Sequence, residues 1–196
     1  MTASLRLFSS PAQLKQRKFA RRSLLPLEQD YLWKIESGVV RTLTWLEDDT
    51  PITLGVWGTG DIAGKVLSKA EAYQIECLTL VEATLLPVND WQQTAQLTIQ
   101  HIQQFQEFME ILHSKSVDAA LLRLLSWLAK KFGREIEQGQ LIDLRLTHQE
   151  IAEIIGATRV TVTRLLNEFE KRGIIQRLPQ HFILLHEQQP FWHYEI

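Results

Sequence analysis

A chain of 196 residues, 45% hydrophobic and 22% charged, has the length for one large domain or two modest ones around a substantial core. That composition excludes extended disorder or a low-complexity fibre, and a formal net charge of -2 gives no global attraction to nucleic acid, so any such partner must be met by a local patch. The single cysteine, Cys77, excludes an intrachain disulfide and a site built from several of the chain's own thiolates.

No apolar run approaches the roughly 18 residues of a membrane span. Near the N-terminus Arg6, Lys15, Arg17, Lys18, Arg21 and Arg22 interrupt any signal-peptide core. A cytoplasmic protein without membrane contact is expected. The first half then reads as strands. Residues 31–45 are apolar and aromatic on either side of Ser37-Gly38, which is turn chemistry, and a second turn falls at 47–51. A strand is expected over 52–57, a turn at 58–61, and two further short strands over 76–81 and 84–88. Short strands with no helices between them point to a sandwich or roll rather than a parallel sheet.

Residues 91–113 contain neither proline nor glycine, and Ile99, Ile102, Phe105, Met109 and Leu112 recur at helical spacing. Phe108, with Phe105 and Leu112, forms a second apolar row beside the first. One wide stripe would cover the helix's own domain. Two rows imply a helix that touches its own domain on one side and a partner helix on the other. An amphipathic helix follows over 119–132, with Gly133 expected as its left-handed terminating residue. Gly139 marks a loop, two short helices come next, and residues 174–185 form a hairpin about Pro179-Gln180. The tail aromatics Phe191, Trp192 and Tyr194 are expected to dock on the body.

Residues 147–173 carry the functional signal. Thr147-x-x-Glu150 is a capping box, Gly156 ends the short helix it starts, and Thr158 caps a second helix running to about Arg172. Two helices joined by a turn of about three residues have helix-turn-helix spacing. Ala152 suits a close crossing, and Ile151, Ile155, Val162 and Leu165 suit the wedge between the helices. Arg159, Val160, Thr163 and Arg164 remain for the outer face of the second helix, at the end that meets base edges in the major groove. Arginine reads guanine and a valine methyl packs on thymine. Thr147, His148, Gln149, Thr158 and Thr161 suit phosphate oxygens. Residues 145–177 hold six basic and four acidic side chains, a local positive excess.

With those motifs in place, the chain resembles the Crp/Fnr superfamily of bacterial transcription regulators over nearly its full length. Residues 157–166, ATRVTVTRLL, resemble the recognition helix of cyanobacterial nitrogen regulators of the NtcA type, and WGTGDIAGK at 57–65 resembles the turn before the family's effector pocket. The resemblance implies an α+β fold with an N-terminal β-roll (1–90), a long dimerisation helix (91–115) and a C-terminal winged helix-turn-helix (116–196). It implies a homodimer on near-palindromic double-stranded DNA, with GTA and TAC half-sites, and contact with RNA polymerase. Ile99, Ile102, Phe105 and Met109 would form the intersubunit seam.

The departures from the family lie in the effector region, at Gly60, Asp61, Gly64, Lys65, Ile75 and Glu76. Cyclic-nucleotide-binding members carry Gly-Glu and then Arg-Ser or Arg-Thr. Here Lys65 follows Gly64, and Ile75-Glu76 take the place of the arginine pair, so the bidentate fork for a phosphate is missing. His101 stands where 2-oxoglutarate-binding members place an arginine. One cysteine does not supply an iron–sulfur cluster. The pocket is therefore expected to be degenerate, with no metal or cofactor and no known effector. No hydrolase, P-loop, zincin or dinucleotide motif is present, so catalysis is not expected. The other reading of the residues is a roll that binds a small molecule, with the helical part making protein contacts.

Overall fold

The computed structural model describes residues 16–185. Its elements run β1 (Gln16–Phe19), β2 (Tyr31–Ser37), β3 (Val40–Trp45), β4 (Pro51–Trp57), β5 (Ile62–Ala63), β6 (Gln74–Cys77), β7 (Val81–Pro87), α1 (Trp91–Leu112), α2 (Val117–Phe132), β8 (Gly133–Ile136), β9 (Gly139–Ile142), α3 (His148–Ile155), α4 (Arg159–Lys171), β10 (Ile175–Leu178) and β11 (His181–Leu185). One 3-10 turn covers Lys65–Leu67.

All paired strands are antiparallel, in sheets ordered β1-β7-β2-β5, β4-β3-β6 and β10-β11-β9-β8. The first two form the roll. Trp33 and Ile35 of β2, Val40 of β3, Ile75 and Cys77 of β6, and Val81 and Ala83 of β7 share one buried cluster. Alternation along each strand sends these side chains to one side, and burying each large one stabilises the fold by roughly 1.5–3 kcal/mol. Cys77 lies in that cluster, and burial pushes its thiol pKa up, as suits a packing residue rather than a reactive one.

Three local expectations need correction. The strand expected over 76–81 is broken: β6 ends at Cys77 and β7 starts at Val81. The turn between them contains no glycine or proline. The Thr79 hydroxyl makes it instead, accepting from Val39 N at 2.8 Å and donating to Leu80 O at 3.0 Å. Gly133 is not left-handed. Its φ is -102°, and α2 passes directly into β8. Glycine is needed there for close approach, since a Cβ would lie 2.1 Å from Ala129 O and 2.9 Å from Leu141 O. Gly139 opens a strand and closes a β8–β9 hairpin, so the segment is part of the wing sheet. The aromatic tail lies outside the described residues.

α1 starts at Asp90, whose carboxylate accepts from Gln93 N. Phe108 and Ile111 are buried against the body, while Ile99, Ile102 and Phe105 are 51%, 52% and 41% exposed. α2 buries Leu121, Leu124, Leu125 and Leu128, and the cluster around them includes Val39, Val56 and Leu78 of the roll. Packing is therefore continuous from the roll into the C-terminal half. Lys131 strengthens that junction: its ammonium donates to Asp61 of the roll at 2.8 Å and to Gln104 of α1 at 2.8 Å.

Candidate nucleic-acid interface

The helix-turn-helix is set by its caps. The Thr147 hydroxyl accepts from Glu150 N at 3.1 Å, and the Glu150 carboxylate accepts from Thr147 N at 2.6 Å, which completes the capping box. Gly156 ends α3 at φ 65°, a conformation in which other residues are strained. The Thr158 hydroxyl accepts from Thr161 N at 3.1 Å and starts α4. Ile151, Ala152, Ile155, Val162 and Leu165 are all buried between the helices. With that face committed, α4 has only one other face to present.

That face holds Arg159, Val160, Thr163 and Arg164, which line one shallow concavity together with Asn167 and Lys171. Val160 is 78% exposed, the most exposed of the large apolar side chains among the described residues. Arg164 makes only a loose contact with Glu168 at 3.7 Å, with both side chains largely exposed, so it is easily redirected. The Thr163 hydroxyl is less free. It donates to Arg159 O at 2.8 Å and lies 2.8 Å from His148 Nδ1, leaving mainly its methyl to meet a base. Asn167 and Lys171 extend the same face. Their position seven residues after Val160 and Arg164 is the signal that finds them.

The residues expected to meet phosphate cluster beside this face. Thr147, His148 and Gln149 share a cleft with Arg159, and Arg22 of the roll lines the same cleft. Thr158 and Thr161 sit at the N-terminus of α4, their hydroxyl oxygens 2.9 Å apart. Burial, followed by the charges of Arg177 and Arg159, lowers the pKa of His148. Nothing in the sequence marks Arg22 for this cleft. It adopts φ 67°, uncommon outside glycine, in a turn whose N–H donates to Cys77 O at 2.7 Å.

The six effector-region residues do not converge on one cavity. Asp61 is a structural junction, accepting from Gly58 N at 2.6 Å, from Gln104 at 2.6 Å and from Lys131. Gly60 forms the turn before it at φ 88°. Gly64 packs on Leu32. The Lys65 ammonium donates to Ala70 O and lies 5.7 Å from the Tyr73 ring. Ile75 is fully buried, and Glu76 pairs with Arg41. The cleft that does exist between the roll and α1, about 410 Å³, is lined by Trp57, Tyr73, His101, Ile102 and Phe105, among others. His101 stacks on Trp57 at 4.0 Å and donates from Nδ1 to Ile62 O at 3.1 Å. Burial lowers its pKa. Lys69, Thr42, Ser68 and Thr98 also line the cleft, which therefore holds one lysine cation but no guanidinium to grip a phosphate or a dicarboxylate in bidentate fashion.

Comparison with known proteins follows the same division. Residues 119–189 match the family model of the Crp-like helix-turn-helix domain. The regulatory protein CysR of Synechococcus elongatus is 40% identical over 168 residues, which cover 84% of this chain and 81% of CysR. A global nitrogen regulator of Nostoc sp. is 42% identical over 74 residues, 38% of this chain and 33% of that protein. Among solved structures, a CRP-family transcriptional regulator of Thermus thermophilus superposes with a TM-score of 0.75 at 25% identity, covering 87% of this chain and 92% of that one.

Proposed function

Because the chain belongs to the Crp/Fnr family of DNA-binding transcription regulators, we propose that it acts as a homodimer reading a near-palindromic site, with α4 in the major groove of each half-site. The observation that carries this reading is the exposed Arg159–Val160–Arg164 face on a helix whose opposite face is entirely buried. Arg159 and Arg164 read base edges, Val160 packs on a thymine methyl, and Thr163 contributes its methyl. Thr147, His148, Gln149, Thr158 and Thr161 hold the backbone. α1 pairs the two chains through Ile99, Ile102, Phe105 and Met109, residues up to about 90 form the roll, and the part beyond α1 binds DNA. RNA polymerase is the partner through which a family member would act. The fully buried Ile75 and the Glu76–Arg41 pair support a pocket that no longer takes a cyclic nucleotide.

The test is selection of bound duplexes from a randomised pool, for the wild type and for Arg159→Ala. The wild type should enrich a two-fold symmetric site with half-sites about one helical turn apart. Arg159→Ala should lose roughly 1–3 kcal/mol on that site and lose discrimination at one base pair of each half. Cyclic AMP and 2-oxoglutarate should leave the affinity unchanged. An unaltered base preference in the variant would remove Arg159 from the groove.

A further inference from the structure

The helix-turn-helix is not held by its own domain alone. Arg41 lies in β3 between Val40 and Thr42 and is 7% exposed. A guanidinium that deep needs partners, because an unpaired buried charge costs several kcal/mol. It has two. Nε donates to Glu76 on the neighbouring β6 at 2.7 Å, and Nη1 donates to Glu153 on α3, 112 residues away, also at 2.7 Å. Burial opposes the charge, but the carboxylates of Glu153 and Glu76 outweigh it and the pKa of Arg41 is raised. The second oxygen of Glu153 accepts from the Gln149 amide at 2.9 Å. Gln149 lies on the first turn of α3, in the cleft it shares with Thr147, His148 and Arg159.

We propose that Arg41 of the roll is a positioning residue for DNA binding: through Glu153 it fixes the Gln149 side chain at the phosphate-facing end of α3. The chain Glu76–Arg41–Glu153–Gln149 has a salt bridge at each buried link and a polar amide at its outer end. Glu153 is anchored before DNA arrives, so Gln149 meets the backbone with its rotamer already selected and loses less side-chain entropy on binding. The inference rests on the DNA-binding reading given above.

The sign of one substitution tests it. Removing Glu153 takes a negative charge from beside the phosphates and frees one side of Arg41, so charge alone requires Glu153→Ala to tighten binding. Loss of positioning requires the opposite. On the duplex selected by the full-length wild type, Glu153→Ala should bind roughly three- to tenfold more weakly, the size of one hydrogen bond. In a Gln149→Ala background the same substitution should cost no further affinity. Alanine is a good helix former, and the Arg41–Glu76 pair survives, so the variant should fold; a urea transition confirms it. Glu153→Gln, which keeps the side-chain volume, should weaken binding in the same direction and serves if the alanine variant does not fold. Equal or tighter binding by the folded variant, or the same loss with and without Gln149, overturns the proposal. A wild-type chain that enriches no duplex overturns the DNA-binding reading itself, whereas a wild type that binds with a Glu153 variant no weaker overturns only the role of Arg41.

Discussion

The neighbours of His148 dictate where its proton sits. The Thr163 hydroxyl has a single proton, which goes to Arg159 O, so the 2.8 Å contact to His148 requires Nδ1 to be the donor. In the neutral ring Nε2 is then only an acceptor and repels a phosphate oxygen. Burial and the arginines at 177 and 159 keep the ring neutral below its ordinary range. A phosphate beside it favours the cation and raises the pKa in the complex above that of the free protein, so binding takes up a proton and affinity rises as pH falls through the interval between the two. Dissociation constants measured between about pH 7 and about pH 5 should show that rise in the wild type and lose part of it in His148→Gln. Identical profiles would place His148 away from the backbone. The exposed positions of Arg159 and Val160 on α4 were legible in the sequence because the caps at Thr147, Gly156 and Thr158 fix the helix register within a short stretch. The bond from Arg41 to Glu153 was not, since nothing local marks a contact spanning 112 residues. Its one visible trace is a single charged side chain in a strand that is otherwise uncharged.

Among the elements, α1 has two apolar rows with different fates. Phe108 and Ile111 are satisfied by the body, whereas Ile99, Ile102 and Phe105 remain uncovered in the single chain. The homodimer proposed above would cover that row. Ile102→Glu combined with Met109→Glu should give monomers by light scattering, because burial worth about 25 cal/mol per Å² is lost and charge must be desolvated as well. DNA affinity should fall with it, since the two half-sites would no longer be bound as one unit. A variant that stays dimeric would move the seam elsewhere. Periodicity made α1 and α2 plain in the sequence. The β8–β9 hairpin stayed hidden because β8, GREI, has an exposed, charged middle and takes its place from pairing with β9 rather than from its own pattern. The 78–80 turn stayed hidden because a threonine side chain, not a glycine, makes it.

For the whole molecule, turn residues and periodicity made the order of strands, long helix, short helices and hairpin legible, and only the family resemblance implied a roll and a winged unit, but the contacts that join these parts were not legible. Lys131 of α2 meets Asp61 of the roll and Gln104 of α1, and its ammonium lies 5.0 Å from the Trp127 ring. Lys131→Met would leave the Asp61 carboxylate, 9% exposed, without its cation. Urea unfolding should show a loss of about 3 kcal/mol, and Asp61→Asn in that background should recover part of it by removing the stranded charge. No recovery would mean the loss came from packing. The uncovered row on α1 also affects dosage. If only paired chains hold both half-sites, then while single chains predominate and the site is mostly empty its occupied fraction varies with the square of protomer concentration, and halving the supply leaves about one quarter of the occupancy. The chain's own abundance would then be a steep input to every site it controls, before any small molecule is involved.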